Sequence, residues 1–98
     1  MTPNAGDESR ESAQALALRA LAFLVGDSNL RRAFLAQSGL DPAAVRARAA
    51  EPEFLAGVLD FLLGDERHLT RFCAAEGIAP ERPARARRLL PGGARPGE

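Results

Sequence analysis

An all-α fold, a compact bundle of five to six short helices, is predicted by three patterns in this sequence. Apolar residues recur at the three- and four-residue spacing of one helix face. Glycine, aspartate and proline stand at intervals where helices would end and begin. In addition, one stretch of the chain recurs after 38 residues. Together these patterns favour short helices separated by tight turns.

The first helix is indicated by a broad apolar face between residues 13 and 24. Asp7 or Ser9 is placed to cap its start, because a side-chain oxygen there accepts from free backbone N–H groups. Gly26 is predicted to end it, since glycine adopts the left-handed conformation without a Cβ penalty.

The second helix is expected to begin at a cap on Asp27 or Ser28 and to run through Ser38. Gly39 followed by Leu40 predicts a Schellman motif at its end, in which a left-handed glycine precedes an apolar residue.

A proline, which is tolerated in the first turn of a helix, predicts the start of the third helix and of the fourth. Asp41 and Pro42 predict a cap and a short third helix to about Ala50. Pro52 opens a fourth helix over residues 52–63, which is apolar almost all round. Such a helix belongs in the middle of the fold.

Gly64 and Gly77 repeat the pattern in which a glycine ends a helix. They predict a fifth helix through Glu76 and a last helix that Pro80 opens and that ends near Leu90.

An internal duplication is predicted from the 38-residue offset, which joins positions 21–42 to positions 59–80 without a gap. The identical residues are helix caps, helix ends and apolar anchors, so the repeat carries information about the fold. The matched pairs are Leu21 and Leu59, Phe23 and Phe61, Leu24 and Leu62, Gly26 and Gly64, Asp27 and Asp65, Phe34 and Phe72, Ala36 and Ala74, Gly39 and Gly77, and Pro42 and Pro80. Two units predict a compact domain with pseudo-twofold symmetry rather than a repeat array.

A single domain over residues 9–90 is therefore expected, with units of about 13–50 and 51–90. Residues 1–8 and 91–98 read as flexible tails, because proline, glycine and polar residues dominate them.

The composition excludes several classes of function. Thirteen acidic residues balance thirteen arginines, so net charge points to no partner. One cysteine cannot form an internal disulfide or a paired-cysteine metal site. The longest apolar stretch, Phe54–Leu63, is too short to span a membrane, and the first residues do not resemble a secretory signal. A cytoplasmic protein with no membrane association is expected.

Four segments in order, ESAQALALRALAFLVGD, FLAQSGLDP, FLAGVLDFLLGDE and FCAAEGIAP, resemble a bacterial family known as domain of unknown function 3572. The resemblance covers roughly residues 9–90. It implies a small helical cytoplasmic protein, and it carries over no activity, cofactor or catalytic residue.

A basic surface near the C-terminus is the first candidate site. Its arginines follow the helical stretch that Pro80 opens: Arg82, Arg85, Arg87 and Arg88. They could dock on phosphates or on an acidic partner. They also fit the ordinary preference for cations at a helix C-terminus, which would make them a solvated face.

A nucleic-acid reading rests on residues 35–46, which resemble a helix-turn-helix. Only Arg46 and Arg48 on the second helix of that motif could reach bases or phosphate. A capped helical corner explains the same residues without any ligand.

The remaining candidates are weaker. Asp65, Glu66 and His68 could form a general-base or metal site, or could be a helix cap followed by a solvated histidine. Asp60, the one charge in the most apolar stretch, could face solvent, lie on a helix contact or pair with Arg19. No catalytic, metal-binding or cofactor-binding residue is predicted with them.

The sequence thus favours a small non-enzymatic interaction or regulatory protein that binds a protein partner or itself. The alternatives are a nucleic-acid accessory protein using Arg46, Arg48 and the C-terminal arginines, and an enzyme or metal protein around Asp65, Glu66 and His68.

Overall fold

Six α-helices and no strand make up residues 9–91, the part of the chain that the computed structural model describes. The helices are α1 Arg10–Val25, α2 Ser28–Ser38, α3 Pro42–Arg48, α4 Pro52–Leu63, α5 Glu66–Glu76 and α6 Arg82–Arg88. The expected all-α bundle is confirmed. The predicted tails lie outside the described residues, apart from Pro91.

The core forms where α1 and α4 pack against each other, with α6 against both. As its composition predicts, α4 has a larger buried fraction than any other helix. Six of its 12 residues lie in the core: Leu55, Ala56, Val58, Leu59, Phe61 and Leu62. Half of the buried residues of α1 are small, because Ala13, Ala17 and Ala20 are fully buried beside three leucines. Small side chains let two helix backbones approach closely, so α1 and α4 pack as a central pair.

Contacts between phenylalanine rings join the first half of the chain to the second, and two of them are related by the repeat. The rings of Phe23 and Phe72 meet edge to face at 5.4 Å. Those of Phe34 and Phe61 meet in the same way at 5.3 Å. Edge-to-face pairs add stabilisation beyond the area that they bury. The 38-residue offset exchanges these two pairs, although the duplication itself stays a prediction.

Four of the predicted helix starts are capped by side chains. Ser9 Oγ accepts from the Ser12 N–H at 3.0 Å, and Asp41 Oδ1 accepts from the Ala44 N–H at 2.8 Å. Asp27 and Asp65 cap α2 and α5 in the same way. Each bond satisfies a backbone donor that the helix leaves free.

The conformation predicted for Gly26 is wrong, although α1 does end there. Its φ is −78°, in the right-handed region, and Gly64 has nearly the same value at −77°. A Cβ at Gly26 would lie 3.2 Å from the Ala22 carbonyl oxygen. Glycine is therefore suited to this tight right-handed turn because it leaves room for that carbonyl.

The left-handed glycines are the other two, as predicted. Gly39 has φ 74° and Gly77 has φ 68°. After α5 the Ile78 N–H donates to the Cys73 carbonyl at 3.0 Å, which is the Schellman bond. After α2 the predicted Schellman motif is replaced by a simpler form: the Gly39 N–H donates to the Leu35 carbonyl at 2.9 Å, and the Leu40 N–H donates to Ser38 Oγ at 3.3 Å.

The start of the last helix is a further correction. Pro80 lies in the turn before α6, which begins at Arg82. The Arg82 N–H donates to the Ala79 carbonyl and closes this turn. Pro83 takes the first-turn position, and its side chain is fully buried.

Among the described residues, no helix combines the length and the apolar character needed to cross a lipid bilayer.

Candidate functional site

The C-terminal arginines do not form one free basic surface. Arg87 is held by Asp60 on α4 through two bonds, Nε to Oδ1 at 2.7 Å and Nη2 to Oδ2 at 3.1 Å. It also donates from Nη1 to the Pro91 carbonyl at 3.0 Å. Arg82 and Arg85 are half-buried, and Arg88 is exposed. The four arginines therefore comprise one that is held in a structural ion pair, two that are half-buried and one that is exposed.

The pairing considered for Asp60 is corrected by this geometry. Arg19 instead donates from Nε to Glu76 Oε1 on α5 at 2.9 Å. A Cβ at Gly57 would meet nothing within 4 Å, so this stripe of α4 is not a close contact with another helix. Asp60 lies at the surface and anchors α6 through Arg87.

Asp65 is a helix cap rather than part of a reactive cluster. It accepts from the Arg67 backbone N–H at 2.9 Å and from the Arg67 guanidinium at 3.2 Å. The guanidinium bond is the main reason why the pKa of Asp65 lies below its ordinary value. Glu66 beside it is exposed in the first turn of α5.

His68 is less exposed than the solvated histidine considered as an alternative. Its ring stacks on Phe61 at 5.7 Å with an interplanar angle of 16°. Nε2 lies 3.8 Å from Asp65 Oδ2, and Nδ1 is buried without a hydrogen bond. Across residues 9–91 no group of three metal-ligating side chains comes together. The ring therefore packs over Phe61 as part of the core edge.

Cys73 is a buried side chain that donates a weak Sγ bond to the Ala79 carbonyl at 3.9 Å. Burial raises the pKa of its thiol, and the charge of Glu81 adds to this. A raised pKa keeps the thiol protonated and unreactive, which fits a small core residue.

A groove that the sequence did not indicate lies between α2 and α4. Its volume is about 430 Å³, which is large enough for one or two side chains of a ligand. It is lined by Phe34, Gln37, Ser38, Leu40, Arg48, Glu51, Glu53, Phe54, Gly57, Asp60 and Phe61. We refer to these residues as the α2–α4 groove.

The floor of the α2–α4 groove is aromatic. The rings of Phe34 and Phe54 meet edge to face at 6.0 Å, and those of Phe34 and Phe61 do so at 5.3 Å. Phe34 and Phe61 are almost fully buried, whereas Phe54 is half-buried and contributes more surface. Three rings in contact form a rigid apolar surface. Because such side chains have few rotatable bonds, they lose little conformational freedom when a ligand packs on them.

Beyond the ring contacts, no ion pair among residues 9–91 joins the two walls of the groove. At the offset of 38 residues, Gly57 and Ser38 correspond to Arg19 and Glu76. In the first position the Arg19–Glu76 ion pair ties α1 to the end of α5. In the second, Gly57 on α4 and Ser38 at the end of α2 leave the space between the helices unfilled.

The rim of the groove carries more negative than positive charge. Glu51 and Glu53 stand at the start of α4, exposed and without an ion pair among residues 9–91. Asp60 is neutralised by Arg87, and Arg48 is the one cation that lines the groove. Two unpaired carboxylates against one guanidinium leave this end of the groove acidic.

Arg46 and Arg48, proposed as nucleic-acid contacts, lie in different surroundings. Arg48 belongs to the α2–α4 groove. Arg46 lines a second depression of about 340 Å³, with Val25, Leu35, Val45, Pro42 and Arg31. The two arginines are both exposed on α3, but they do not line one cavity.

The chain belongs to the family described as "Protein of unknown function (DUF3572)", whose model matches residues 10–93. The resemblance read from the four sequence segments is thereby confirmed. No curated protein and no solved structure matches the chain.

Proposed function

We propose that this protein is a non-enzymatic interaction module that binds a segment of a partner protein in the α2–α4 groove. One observation carries the proposal: a groove with three phenylalanines in its lining stays open between α2 and α4, where the 38-residue offset of the sequence replaces the ion-paired Arg19 and Glu76 by Gly57 and Ser38. In a domain this small, nearly all apolar area is needed for the core. A concave space lined by aromatic side chains and a few polar groups is the usual form of a binding site.

The chemistry of the groove supports binding rather than catalysis. Its polar lining is an amide, a hydroxyl, carboxylates and one guanidinium, and neither His68 nor Cys73 belongs to it. Its carboxylates could act as general bases, but neither a histidine nor a thiol lines the groove with them. An apolar floor with a charged rim instead matches the anatomy of a protein interface.

The test uses two substitutions at one residue. Gly57→Leu fills the groove, whereas Gly57→Ala removes the same glycine and leaves the groove open. A random peptide library displayed on phage is selected against the wild-type protein, and each recovered peptide is measured against both variants. We expect Gly57→Leu to weaken binding at least about tenfold and Gly57→Ala to change it less than about twofold.

Peptides that bind both variants equally would contradict the proposal, because they would occupy another surface. Failure to recover any peptide that distinguishes the two variants would contradict it as well. Thermal unfolding of both variants serves as the control, since each must remain folded for the comparison to hold.

The nucleic-acid alternative gains no support from the arrangement of the arginines. Arg87 is already paired with Asp60, and Arg48 shares its groove with two unpaired carboxylates. Phosphate binding depends on cations gathered on one face. Arg31 and Arg46 do line one depression together, but two cations make a smaller charged face than that requirement calls for.

A further inference from the structure

We infer that the segment bound in the α2–α4 groove presents an arginine or lysine next to an apolar side chain. The inference rests on the proposed function and names the chemistry of the partner. The apolar side chain packs on Phe54, the most exposed of the three phenylalanines in the lining, and the cation meets the carboxylates of Glu51 and Glu53.

The two carboxylates carry this assignment because the fold does not use them. Glu51 stands at the cap position of α4, but its side chain makes no cap bond. Glu53 lies in the first turn of α4, where the helix dipole stabilises a negative charge. Neither has an ion pair in the described part of the chain. Their charge is therefore available to a ligand in the groove.

The other charges at the rim favour a single cation rather than several. Asp60, which also lines the groove, already receives two bonds from Arg87. Arg48 would repel a second cation at the groove. An arginine suits the remaining space well, because its plane can lie on the ring of Phe54 while it donates to a carboxylate.

The test compares two glutamates in equivalent positions. Glu53 and Glu66 each lie in the first turn of a helix, but only Glu53 lines the groove. A peptide recovered in the groove selection is titrated against Glu53→Gln and Glu66→Gln at two salt concentrations. We expect Glu53→Gln to weaken binding about fivefold and to reduce its salt dependence, and Glu66→Gln to match the wild type.

A second selection uses a charge-reversed groove. The library is selected against Glu51→Lys/Glu53→Lys, and we expect recovered peptides to exchange their basic residue for aspartate or glutamate. Groove-binding peptides without a basic residue, or no exchange on charge reversal, would overturn this inference and leave the proposed function standing. If no peptide is sensitive to Gly57→Leu, the proposed function fails instead.

Two further measurements test whether something other than a partner protein occupies the groove. The first alternative occupant is the C-terminal segment 92–98, whose one basic residue is Arg95. A protein that ends at Pro91 and the variant Arg95→Ala are each titrated with the peptide beside the full chain. If both bind the peptide at least about tenfold more tightly than the full chain, residues 92–98 occupy the groove and the partner assignment is overturned. A dimer in sedimentation that Gly57→Leu dissociates would assign the groove to a second copy and would overturn it too.

Discussion

At the scale of single residues, three glycines serve three different purposes. Gly39 has a left-handed backbone, Gly26 avoids a carbonyl oxygen, and Gly57 leaves a groove open. The sequence identified each position as a glycine, but it did not show which of these purposes the glycine serves. The left-handed backbone predicted from the sequence is confirmed at Gly39 but wrong at Gly26, because a helix can end on glycine in either hand.

Alanine substitutions should separate these purposes. Gly39→Ala is expected to destabilise the protein by about 1 kcal/mol, since a Cβ is strained at φ 74°. Gly57→Ala is expected to stabilise it by about 0.5–1 kcal/mol, because alanine favours a helix interior and its Cβ meets no neighbour. Urea unfolding of both variants checks the two signs. Equal shifts in one direction would contradict the assignment.

Asp27 should make stability depend on acid pH. It caps α2, its Oδ2 accepts from Arg71 Nη2 at 2.9 Å, and the Leu30 backbone bond is the largest cause of its lowered pKa. A carboxyl with a lowered folded pKa stabilises above its ordinary value of 3.8, and this is lost as pH falls through the folded pKa.

We therefore expect Asp27→Asn, which keeps a cap oxygen, to be less stable than the wild type at neutral pH. The difference should vanish in acid, and urea unfolding across that range measures it. A difference that is constant with pH would show that the charge of Asp27 contributes nothing.

At the scale of helices, the sequence predicted bounds well where a cap and a proline or glycine coincide. Asp41 with Pro42 and Asp27 after Gly26 each fixed a helix start, because local hydrogen bonds decide those positions. The start of α6 was misplaced at Pro80. Its true start depends on Pro83, whose burial against the core is a tertiary effect.

The contact between α4 and α6 offers an element-scale prediction. The Asp60–Arg87 pair is bidentate, but the aspartate side chain is 56% exposed, so water screens it. A double-mutant cycle with Asp60→Ala and Arg87→Ala should give a coupling of about 0.5–1 kcal/mol. A cycle on Arg67 and Asp65, where the arginine is largely exposed, is the comparison and should give less. Coupling near zero for Asp60 and Arg87 would mean that the pair does not hold α6.

At the scale of the whole molecule, the core depends on rings that link the two halves. Phe72 is fully buried, whereas its partner Phe23 is half-buried. Phe72→Ala should cost about 3–5 kcal/mol, and Phe23→Ala clearly less. Denaturant unfolding gives both values, with Phe72→Leu as the milder control. A larger loss at Phe23 would contradict the packing described here.

The groove itself could not be predicted from the sequence. Its floor was visible only as three phenylalanines of a core, and nothing local shows that Phe34 and Phe54 meet across α2 and α4. One signal was present: the internal offset replaces a charged pair, Arg19 and Glu76, by Gly57 and Ser38. Its meaning required the Arg19–Glu76 bond to be seen in three dimensions.

The central claim is that the α2–α4 groove is the binding surface of this protein. It is tested most directly by titrating a peptide recovered in the groove selection into isotope-labelled protein and following the backbone amide resonances. We predict the largest shifts at Ser38, Phe54 and Gly57, and none of that size at Arg46 or Arg88. Shifts centred on Arg46 or on Arg88, with the groove amides unchanged, would contradict the claim.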